Sequence, residues 1–484
     1  MVLAISDYTV ADTVIAPLAD DLGLSFTELG SAFTAYFAAA AAFIVLFGRL
    51  GDVVGRRRVM LIGVGLTVAA SLCSGLAWNL PSFFVGRILA GLALAAILPT
   101  GLGLLHALYP RRGATRQRAF AFWTMAIGAA AVVGPLVGGA AASTLSWRWA
   151  FLGAAPLGVV AAVGLRATIA EDDRRSAGDV DVVGASLLAL AAASLAVALD
   201  LGAGQGTALS VGVASCVGIV ATLTFVRIAH RRIRQGRDVI APPGLFRHRS
   251  FRNATISSAF MAVGDTGFQI VLPAVAGIVV HTGDWGVGGL LACYGAGAMI
   301  GGPVAARLRR RTDDRTVARV ALAMLPLLLV ALLPLLSAGA PLMGIGLVLA
   351  LYGVAWSIAY SHLLDRSYQD VGESDAAVAG GVQSAVRLLA GAVGAAIVTA
   401  VFSGAAMGSV DADSSAGKTV AEFHALPSHQ RLQLARQETG VDPAAPHAVE
   451  TAYTTGARAA ILAAAAITAL ALPVALRIDK SLRP

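Results

Sequence analysis

The feature that most constrains the fold of this 484-residue chain is the recurrence of apolar runs along nearly its whole length. A helix needs roughly 20 apolar residues to cross the hydrocarbon core of a bilayer. Because water is absent there, each backbone amide and carbonyl must find a partner within the segment, so every run is expected to be helical. Only 13% of the residues are charged, against about 25% in soluble domains. The sequence therefore predicts an all-α, multi-pass membrane protein.

Loop signals between the apolar runs predict about fourteen membrane-spanning helices. They are expected near 2–20, 28–48, 59–78, 82–108, 118–141, 148–168, 182–200, 207–229, 253–280, 286–307, 316–337, 341–364, 376–403 and 452–476. The longest connection, about 404–451, is polar and is expected to be extracellular, with a short amphipathic helix near 428–438. A solvated loop without its own activity is the simpler interpretation, and a partner-binding or gating role is the alternative.

Arginines orient the predicted helices. They cluster after the second, fourth, eighth and tenth helices, whereas connections such as 20–27, 78–81 and 338–341 contain no lysine or arginine. Because positive residues accumulate in short cytoplasmic loops, both termini are expected in the cytoplasm. The abundance of alanine, glycine and arginine is typical of a GC-rich bacterial genome, so a bacterial cell membrane is the expected location. The net charge of +8 follows this alternation and does not indicate nucleic-acid binding.

The connection after the second helix carries the most specific motif, which runs from Gly48 to Arg58. Its glycines permit a tight turn and close helix approach, and Asp52 can accept hydrogen bonds from an arginine or a neighbouring helix end. The motif resembles the signature loop of the major facilitator superfamily. The resemblance implies a cytoplasmic gate formed by Gly48, Gly51, Asp52, Gly55, Arg56, Arg57 and Arg58. The family usually has a basic residue where this chain has Val53, and an ordinary basic loop is the alternative.

A second motif, in the fifth predicted helix, comprises Gly134, Pro135, Gly138 and Gly139. Pro135 removes a backbone donor and is expected to kink the helix, while the glycines allow close contact with a neighbouring helix. The motif resembles the one associated with exporters of the superfamily. The resemblance implies outward transport, and a packing kink without directional meaning is the alternative.

The fourth predicted helix contains Arg87, in a run that resembles the family's intramembrane arginine motif. Ala90 stands where the family usually has glutamine. An arginine inside a membrane helix is costly unless it faces a cavity or a partner. The resemblance therefore implies a role in proton coupling, and an arginine that extends to the membrane interface is the alternative.

Two aspartates, Asp7 and Asp12, lie in the first predicted helix, in a stretch that resembles the aspartate motif of the fourteen-helix drug:proton antiporters. Burial favours the neutral form of a carboxylic acid, so such a group can load and release a proton. Positions five apart differ by about 140° around a helix, so the two aspartates are not expected to face one cavity together. The resemblance favours Asp7, and depth favours Asp12. Because Asp7 lies only about 9 Å from Met1, an upstream start of the native chain is expected.

Two more charged residues, Asp265 and Arg387, lie in the ninth and thirteenth predicted helices. Charged residues within apolar runs indicate function by default. Asp265 is interpreted as a proton site or a site for a cationic substrate, with a structural pair as the alternative. The stretch around Arg387 resembles the thirteenth helix of actinobacterial family members. On chemical grounds, Arg387 can pair with Asp265 or Asp12.

Nearly the whole chain resembles the fourteen-helix drug:proton antiporter family of the major facilitator superfamily. The resemblance implies two six-helix bundles, at 1–168 and 253–484, with an inserted helix pair and a cytoplasmic linker at 169–252. It also implies a monomer that exports a drug or secondary metabolite by alternating access. The expected partners are the small-molecule substrate, protons and the lipid bilayer.

Other functions are less well supported by the sequence. It contains no nucleotide-binding loop, no nucleophile elbow and no metal-spaced cluster of histidine and cysteine. The chain is therefore not expected to be an enzyme or to bind a metal or cofactor. An uptake permease of the same fold and a transport-like sensor without proton coupling remain as alternatives. The charge of the substrate is left open, because buried acids favour cations whereas Arg87 and Arg387 can receive anions.

Overall fold

The regular structure of the protein is helical. The computed structural model describes residues 2–24, 26–108, 114–169, 181–203, 207–237, 239, 243–280, 282, 284–309, 314–337, 340–367, 371, 376–409 and 444–480. Within these ranges every regular element is a helix or a helical turn, and no β-strand occurs. The predicted all-α class is confirmed.

The α-helices are α1 (Val2–Thr13), α2 (Ile15–Leu22), α3 (Phe26–Val54), α4 (Arg56–Gly75), α5 (Leu80–Leu108), α6 (Ala114–Thr144), α7 (Trp147–Leu152), α8 (Ala154–Thr168), α9 (Val182–Ala203), α10 (Ala208–Arg234), α11 (Arg249–Ala274), α12 (Asp284–Arg309), α13 (Asp314–Ala331), α14 (Leu342–Ser367), α15 (Ala376–Gly408), α16 (Ala444–Ala469) and α17 (Ala471–Lys480). Two 3₁₀ turns, Pro243–Arg247 and Leu333–Leu335, and a π-helical turn, Val275–Val279, complete the described elements.

Twelve of the described helical segments are long and apolar enough to cross a membrane. The apolar helices Val2–Ala11 and Val183–Leu195 are shorter, and they coincide with the first and seventh predicted spans. The multi-pass architecture is thus confirmed, while the count of fourteen spans stays a prediction.

The first predicted span is interrupted in the structure. The helix α1 ends at Thr13 and α2 begins at Ile15. Pro17 explains the break, because it has no N–H to donate to the carbonyl of Thr13, four residues earlier. The sixth predicted span is divided in the same way at Gly153, which precedes Pro156 by three residues.

The end of the second predicted span lies later than expected. The helix α3 continues to Val54, so Gly48, Gly51 and Asp52 are helical rather than part of a loop. Since this stretch contains no proline, nothing removes a backbone donor before the turn at Gly55.

The connection predicted at 404–451 is shorter than expected. The helix α15 extends to Gly408, and α16 begins at Ala444. Alanines and a proline in the first turn are compatible with an earlier helix start, because the first amides of a helix need no intrahelical acceptor. The amphipathic helix expected near 428–438 lies outside the described residues.

Helix contacts divide into two groups, and two helix pairs make the most extensive contacts between them. Within the first group α5 packs on α3 and α4, α1 packs on α6, and α4 packs on α8. Within the second group α11 packs on α15 and α16, and α14 packs on α12 and α13. The groups meet where α6 contacts α12 and where α3 contacts α15, and α9 packs on α10, α3 and α15. The predicted bundle boundaries at 168 and 252 stay predictions.

Large apolar side chains cover the outer faces of several helices. They are exposed along α8 at Val159, Val160 and Val163, and along α10 at Val213 and Val217. A soluble monomer rarely exposes such continuous apolar surface. These faces are suited to contact with lipid.

Candidate functional site

A buried ion pair joins α1 to α5. Arg87 Nη1 lies 3.0 Å from Asp7 Oδ2, and Arg87 Nη2 lies 3.2 Å from Asp7 Oδ1. The guanidinium therefore donates two hydrogen bonds to the carboxylate, an arrangement stronger and more directional than a single contact. The side chains of Arg87 and Asp7 are 1% and 3% exposed. Of the two interpretations of Arg87, the structure favours a partner within the protein.

Three further side chains surround the guanidinium of Arg87. Nη2 also donates to Ser74 Oγ at 2.8 Å. The guanidinium carbon lies 5.2 Å from the ring centre of Phe83 and 4.8 Å from that of Phe151, and aromatic faces at such distances attract a cation. The buried Nε has no hydrogen-bond partner among the described residues. Most of the compensation for this buried charge therefore comes from Asp7.

Glycines of the exporter-like motif bring α6 against α1. A methyl group at Gly134 would overlap Thr9 Oγ1, and one at Gly138 would overlap Thr13 Oγ1. Since any larger side chain would force the two helices apart, glycine is required for this approach. The motif thereby fixes the position of the helix that carries the aspartate of the ion pair.

Another face of α6 packs on α12. A methyl group at Gly288 would lie 2.7 Å from Pro135 O and 3.6 Å from Gly139 Cα. Gly128 precedes Pro135 by about two helical turns, and a methyl group there would lie 2.8 Å from Met299 Cα. Backbones this close require small residues at the contact. The helix α6 therefore connects α1 to the second group of helices.

A single residue, Gly55, separates α3 from α4. Its φ of +110° lies in a region that side chains disfavour. Before the turn, a methyl group at Gly48 would lie 3.4 Å from Pro99 Cβ, and one at Gly51 would lie 3.0 Å from Thr100 Cγ2. The glycines thus lie where the chain needs a sharp turn and close contact between α3 and α5.

The arginines after this turn bind carbonyls of other helices. Arg56 Nη1 donates to Gly103 O at 2.6 Å, and Arg57 Nη2 donates to Arg166 O at 2.7 Å. Gly103 lies in the later part of α5. Arg166 lies in the last turn of α8, where the helix dipole favours a cation such as the Arg57 guanidinium. We call the end of the bundle around Arg56 and Arg57 the arginine-rich end.

The Asp7–Arg87 pair lies away from the arginine-rich end. Ser74, which contacts Arg87, is in the last turn of α4, and α4 starts at the arginine-rich end. Arg87 itself follows the first residue of α5, Leu80, by about two helical turns. The ion pair and the arginine contacts therefore lie towards opposite ends of the first group of helices.

A second buried carboxylate lies in α11. Asp265 is 5% exposed. The Tyr294 hydroxyl of α12 donates to it, at 3.3 Å from Oδ1 and 3.4 Å from Oδ2. Gln269 is also buried and follows one helical turn later, so it lies on the same face of α11. The buried Tyr352 hydroxyl has no hydrogen-bond partner among the described residues.

Four aromatic rings lead from this carboxylate towards Arg387; we call Tyr294, Tyr352, Trp356 and Tyr360 the aromatic row. The last three recur every four residues and share one face of α14. The Tyr294 ring centre lies 6.0 Å from that of Tyr352 and 6.5 Å from that of Trp356. Trp356 and Tyr360 are stacked, with ring centres 5.2 Å apart. The guanidinium carbon of Arg387 lies 5.0 Å from the Tyr360 ring centre.

The sequence suggested that Arg387 could form an ion pair with Asp265, and this ion pair is absent from the salt bridges of the described residues. Among the described residues, the salt bridges are Arg87–Asp7, Arg148–Asp21 and Arg232–Asp181. Arg387 packs on an aromatic ring instead, and Asp265 accepts a hydroxyl hydrogen bond. Arg387 and Asp265 thus contact different rings of the aromatic row.

Two predicted site residues, Asp12 and Asp52, have side chains that lie outside the described residues. The alternatives of Asp7 and Asp12 as the proton site therefore stay open, although Asp7 has the buried partner. The part played by Asp52 at the predicted gate also stays a prediction.

Sequence reasoning missed the aromatic row and the partners of the charged groups. The spacing of Tyr352, Trp356 and Tyr360 was a usable signal, because it places three rings on one helical face. Ser74 and Tyr294 carried no such signal, since their importance depends on which helices pack together. Across the part of the chain that the structure describes, no group of His, Cys, Asp or Glu could hold a metal ion.

Comparisons with known proteins show similarity to transporters of one family. A family model described as Major Facilitator Superfamily matches residues 1–395. EfpA of Mycobacterium tuberculosis, described as an uncharacterized MFS-type transporter, is 32% identical over 263 residues, which are 54% of this chain and 48% of that protein. The puromycin resistance protein pur8 of Streptomyces alboniger is 30% identical over 319 residues, which are 65% of this chain and 62% of that protein. These matches thus span about half to three fifths of the relatives' own length.

A solved structure matches over nearly its full length. It is that of a bacterial homologue of the human lysosomal transporter Spinster, in an inward-facing and unoccupied conformation. The TM-score is 0.62 at 17% sequence identity, and the match covers 99% of this chain and 95% of that chain. At this identity the likeness concerns the fold alone.

Proposed function

Because the chain belongs to the major facilitator superfamily, we propose that it exports a small molecule, a drug or a secondary metabolite, across a bacterial cell membrane in exchange for protons. The predicted family and fold class are confirmed, and membership of a transporter family agrees with the expectation that the chain is not an enzyme. A relative whose name is that of a resistance protein supports outward transport, as does the exporter-like motif of α6.

The single observation that carries the proposal is the buried Asp7–Arg87 pair. Protonation of Asp7 would remove the negative charge that Arg87 binds. Removing one partner of a buried ion pair costs about 3–5 kcal/mol, because the other charge is left uncompensated. A proton that moves inward gains roughly 2.3 kcal/mol per 100 mV of membrane potential. Over a whole transport cycle, the inward movement of the proton therefore supplies energy of the same order as this cost, and protonation of Asp7 would favour a different packing of α1 and α5.

The contacts of α6 provide a route from the ion pair to the second group of helices. Its glycines at 134 and 138 meet α1, and its contact with Gly288 meets α12. A displacement of α1 would therefore press on α6, one of the helices that contact the second group. In the proposed cycle these groups are the two bundles at 1–168 and 253–484, which rock about this contact while the inserted pair at 169–252 stays beside them.

The direction of proton movement follows from the orientation of the protein in the membrane, which the positive-inside rule predicts. With the arginine-rich end and both termini in the cytoplasm, the Asp7–Arg87 pair lies towards the outside, where protons enter. The contacts of Arg56 with α5 and of Arg57 with the end of α8 would close the cytoplasmic side. They would have to break before a substrate can enter from the cytoplasm.

Asp265 and Arg387 form a second charged site in the proposed cycle. Both lie within apolar helices, where charged groups are retained for ion or substrate handling. The proposal assigns proton coupling to Asp7 and Arg87 first, with Asp12, Asp265 and Arg387 as further contributors. The transporter is proposed to act as a monomer, since each element of this cycle lies within one chain.

Everted membrane vesicles test the proposed function. Their lumen is first acidified by respiration, and a compound selected by growth inhibition of strains with and without the protein, beginning with puromycin, is then added. Antiport predicts alkalinisation of the lumen, because protons leave as the compound enters. Vesicles that contain the Asp7→Asn variant at equal expression are expected to show no such change. Absence of proton movement with every compound that the strains distinguish would reject antiport and favour uptake or sensing.

A further inference from the structure

Two opposite charges flank the aromatic row. Asp265 lies next to Tyr294 at one end, and Arg387 lies over Tyr360 at the other. Tyr352 is fully buried, whereas Trp356, Tyr360 and Arg387 keep part of their surface exposed. Partly exposed polar groups within membrane helices face a cavity rather than lipid, because lipid cannot compensate them. The exposed part of the row is therefore accessible to a molecule inside the protein.

Both charged residues lie at the contact between α11 and α15. A methyl group at Gly391 would lie 3.0 Å from Thr266 Oγ1, so the two backbones are close there. Arg387 precedes Gly391 by one helical turn, and Asp265 is adjacent to Thr266. Each position is more than two helical turns from either end of its helix. Substrate sites of secondary transporters lie near the membrane midplane, and the aromatic row lies at this depth.

Neither Asp265 nor Arg387 has an oppositely charged partner within salt-bridge distance in the part of the chain that the structure describes. Among the described residues no carboxylate lies within salt-bridge distance of Arg387, and its described contact is the ring of Tyr360. A guanidinium has five donors, and stacking on a ring leaves its edge free to bind a carboxylate. Asp265 accepts a hydrogen bond from Tyr294 and lies close to Gln269 and Tyr352, and its two oxygens offer about four acceptor positions in all. The site thus offers one place for an acid, one for a base, and aromatic surface between them.

We infer that the aromatic row binds a planar aromatic molecule that carries both a basic nitrogen and an acidic group. The ring packs against the exposed sides of Trp356 and Tyr360, the acidic group binds Arg387, and the basic nitrogen binds Asp265. This inference rests on the proposed function, since it names the substrate class of the same transporter. It assigns substrate binding to Asp265, Arg387 and the aromatic row, while the Asp7–Arg87 pair remains the first site of proton coupling.

Molecules with only one charge fit this site less well. A purely cationic aromatic satisfies Asp265 but brings a second positive charge near Arg387. A purely anionic aromatic satisfies Arg387 but brings a negative charge near Asp265. Like charges at short range repel each other, and the repulsion is stronger beside a buried group such as Asp265 than in bulk water. A molecule with both groups avoids the repulsion and gains two charge-assisted hydrogen bonds.

Equilibrium binding to the purified full-length protein at neutral pH tests the inference with three related probes. Norfloxacin carries both charges, its ethyl ester carries only the basic nitrogen, and nalidixic acid carries only the acid. A hydrogen bond to a charged group contributes about 1.5–3 kcal/mol, so norfloxacin is expected to bind about tenfold or more tightly than either analogue. Equal affinity for norfloxacin and one of its analogues would overturn the inference, as would no binding of any probe.

Three variants assign each group of the probe to a residue. Arg387→Gln is expected to weaken norfloxacin and nalidixic acid about tenfold while the affinity for the ester stays unchanged. Asp265→Asn is expected to weaken norfloxacin and the ester but not nalidixic acid. Unchanged binding of the ester by Arg387→Gln, and of nalidixic acid by Asp265→Asn, shows that these two variants are folded. Trp356→Leu is expected to weaken all three probes.

Two matched substitutions serve as controls for these variants. Trp285 and Arg307 are exposed residues of α12 outside the site, so Trp285→Leu and Arg307→Gln are expected to leave all affinities unchanged. If Arg387→Gln weakens the ester as much as norfloxacin, the assignment of the acidic group is wrong. Proton movement in vesicles with another compound would then persist, so the proposed function would survive the loss of this inference.

Discussion

Replacing Asp7 by asparagine isolates the charge on which the proposed coupling depends. Asparagine keeps the size of the side chain but cannot compensate a buried guanidinium. Arg87 is 1% exposed and has no second carboxylate among the described residues. Breaking one partner of such a pair costs about 3–5 kcal/mol. We expect Asp7→Asn to lower the free energy of unfolding by about this amount.

A double-mutant cycle separates the ion pair from other effects of the substitution. Arg87→Met alone leaves Asp7 buried and unpaired, and it is expected to be similarly destabilising. In the double variant neither charge remains, so much of the loss should be recovered. The interaction energy of the cycle is expected to be about 2–3 kcal/mol, measured by equilibrium unfolding of the purified protein in detergent micelles.

The chain offers a matched control pair on the same part of the fold. Arg148 and Asp21 also form a salt bridge, but their side chains are 34% and 46% exposed. Exposed pairs contribute about 0–1 kcal/mol, so the cycle of Asp21→Asn and Arg148→Met should give a small interaction energy. If the Asp7–Arg87 cycle gives no larger value than this control, the argument from burial is refuted.

Two further substitutions test the helix contacts that the proposed cycle uses. Gly134→Ala introduces a methyl group that would overlap Thr9 Oγ1, so it is expected to lower the free energy of unfolding by about 1–3 kcal/mol. The control is Gly65→Ala, whose added methyl group has no atom within 4 Å and which should not be destabilising. Equal thermal shifts for both variants would contradict the packing argument. Arg56→Gln removes the hydrogen bond to Gly103 O, a loss of about 1.5–3 kcal/mol. The reporter is Thr100→Cys in a protein from which the three native cysteines have been removed. Arg56→Gln is expected to increase the labelling of this cysteine by a maleimide added to the cytoplasmic face of everted vesicles. The exposed Arg234→Gln should not change the labelling, and a rise with both variants would exclude a specific role for Arg56.

The helical architecture was predictable because membrane insertion leaves few alternatives. Apolar runs near the length of a bilayer crossing must be helical, so α4, α5, α12 and α14 were predicted nearly to their ends. The breaks at Val14 and Gly153 depend on Pro17 and Pro156, whose effect was visible in the sequence but was not applied to these spans. Hydropathy alone does not locate such breaks, because the residues on both sides are equally apolar.

The candidate site was predictable in its charged residues but not in its contacts. Asp7, Arg87, Asp265 and Arg387 stood out because charges are rare within apolar runs. The sequence could not show that Arg87 binds Asp7, since the partner depends on how α1 packs against α5. The positions of Arg387 and Asp265 relative to the aromatic row depend likewise on how α11, α12, α14 and α15 pack together.

Transport by the purified protein in liposomes tests the central claim most directly. Two assays use one reporter compound: exchange of the labelled compound at equal concentration on both sides, and its accumulation driven by an imposed proton gradient. The wild-type protein is expected to perform both. The Asp7→Asn variant is expected to retain exchange, which needs no proton, and to lose gradient-driven accumulation. Accumulation by Asp7→Asn at the wild-type level would contradict coupling through the Asp7–Arg87 pair.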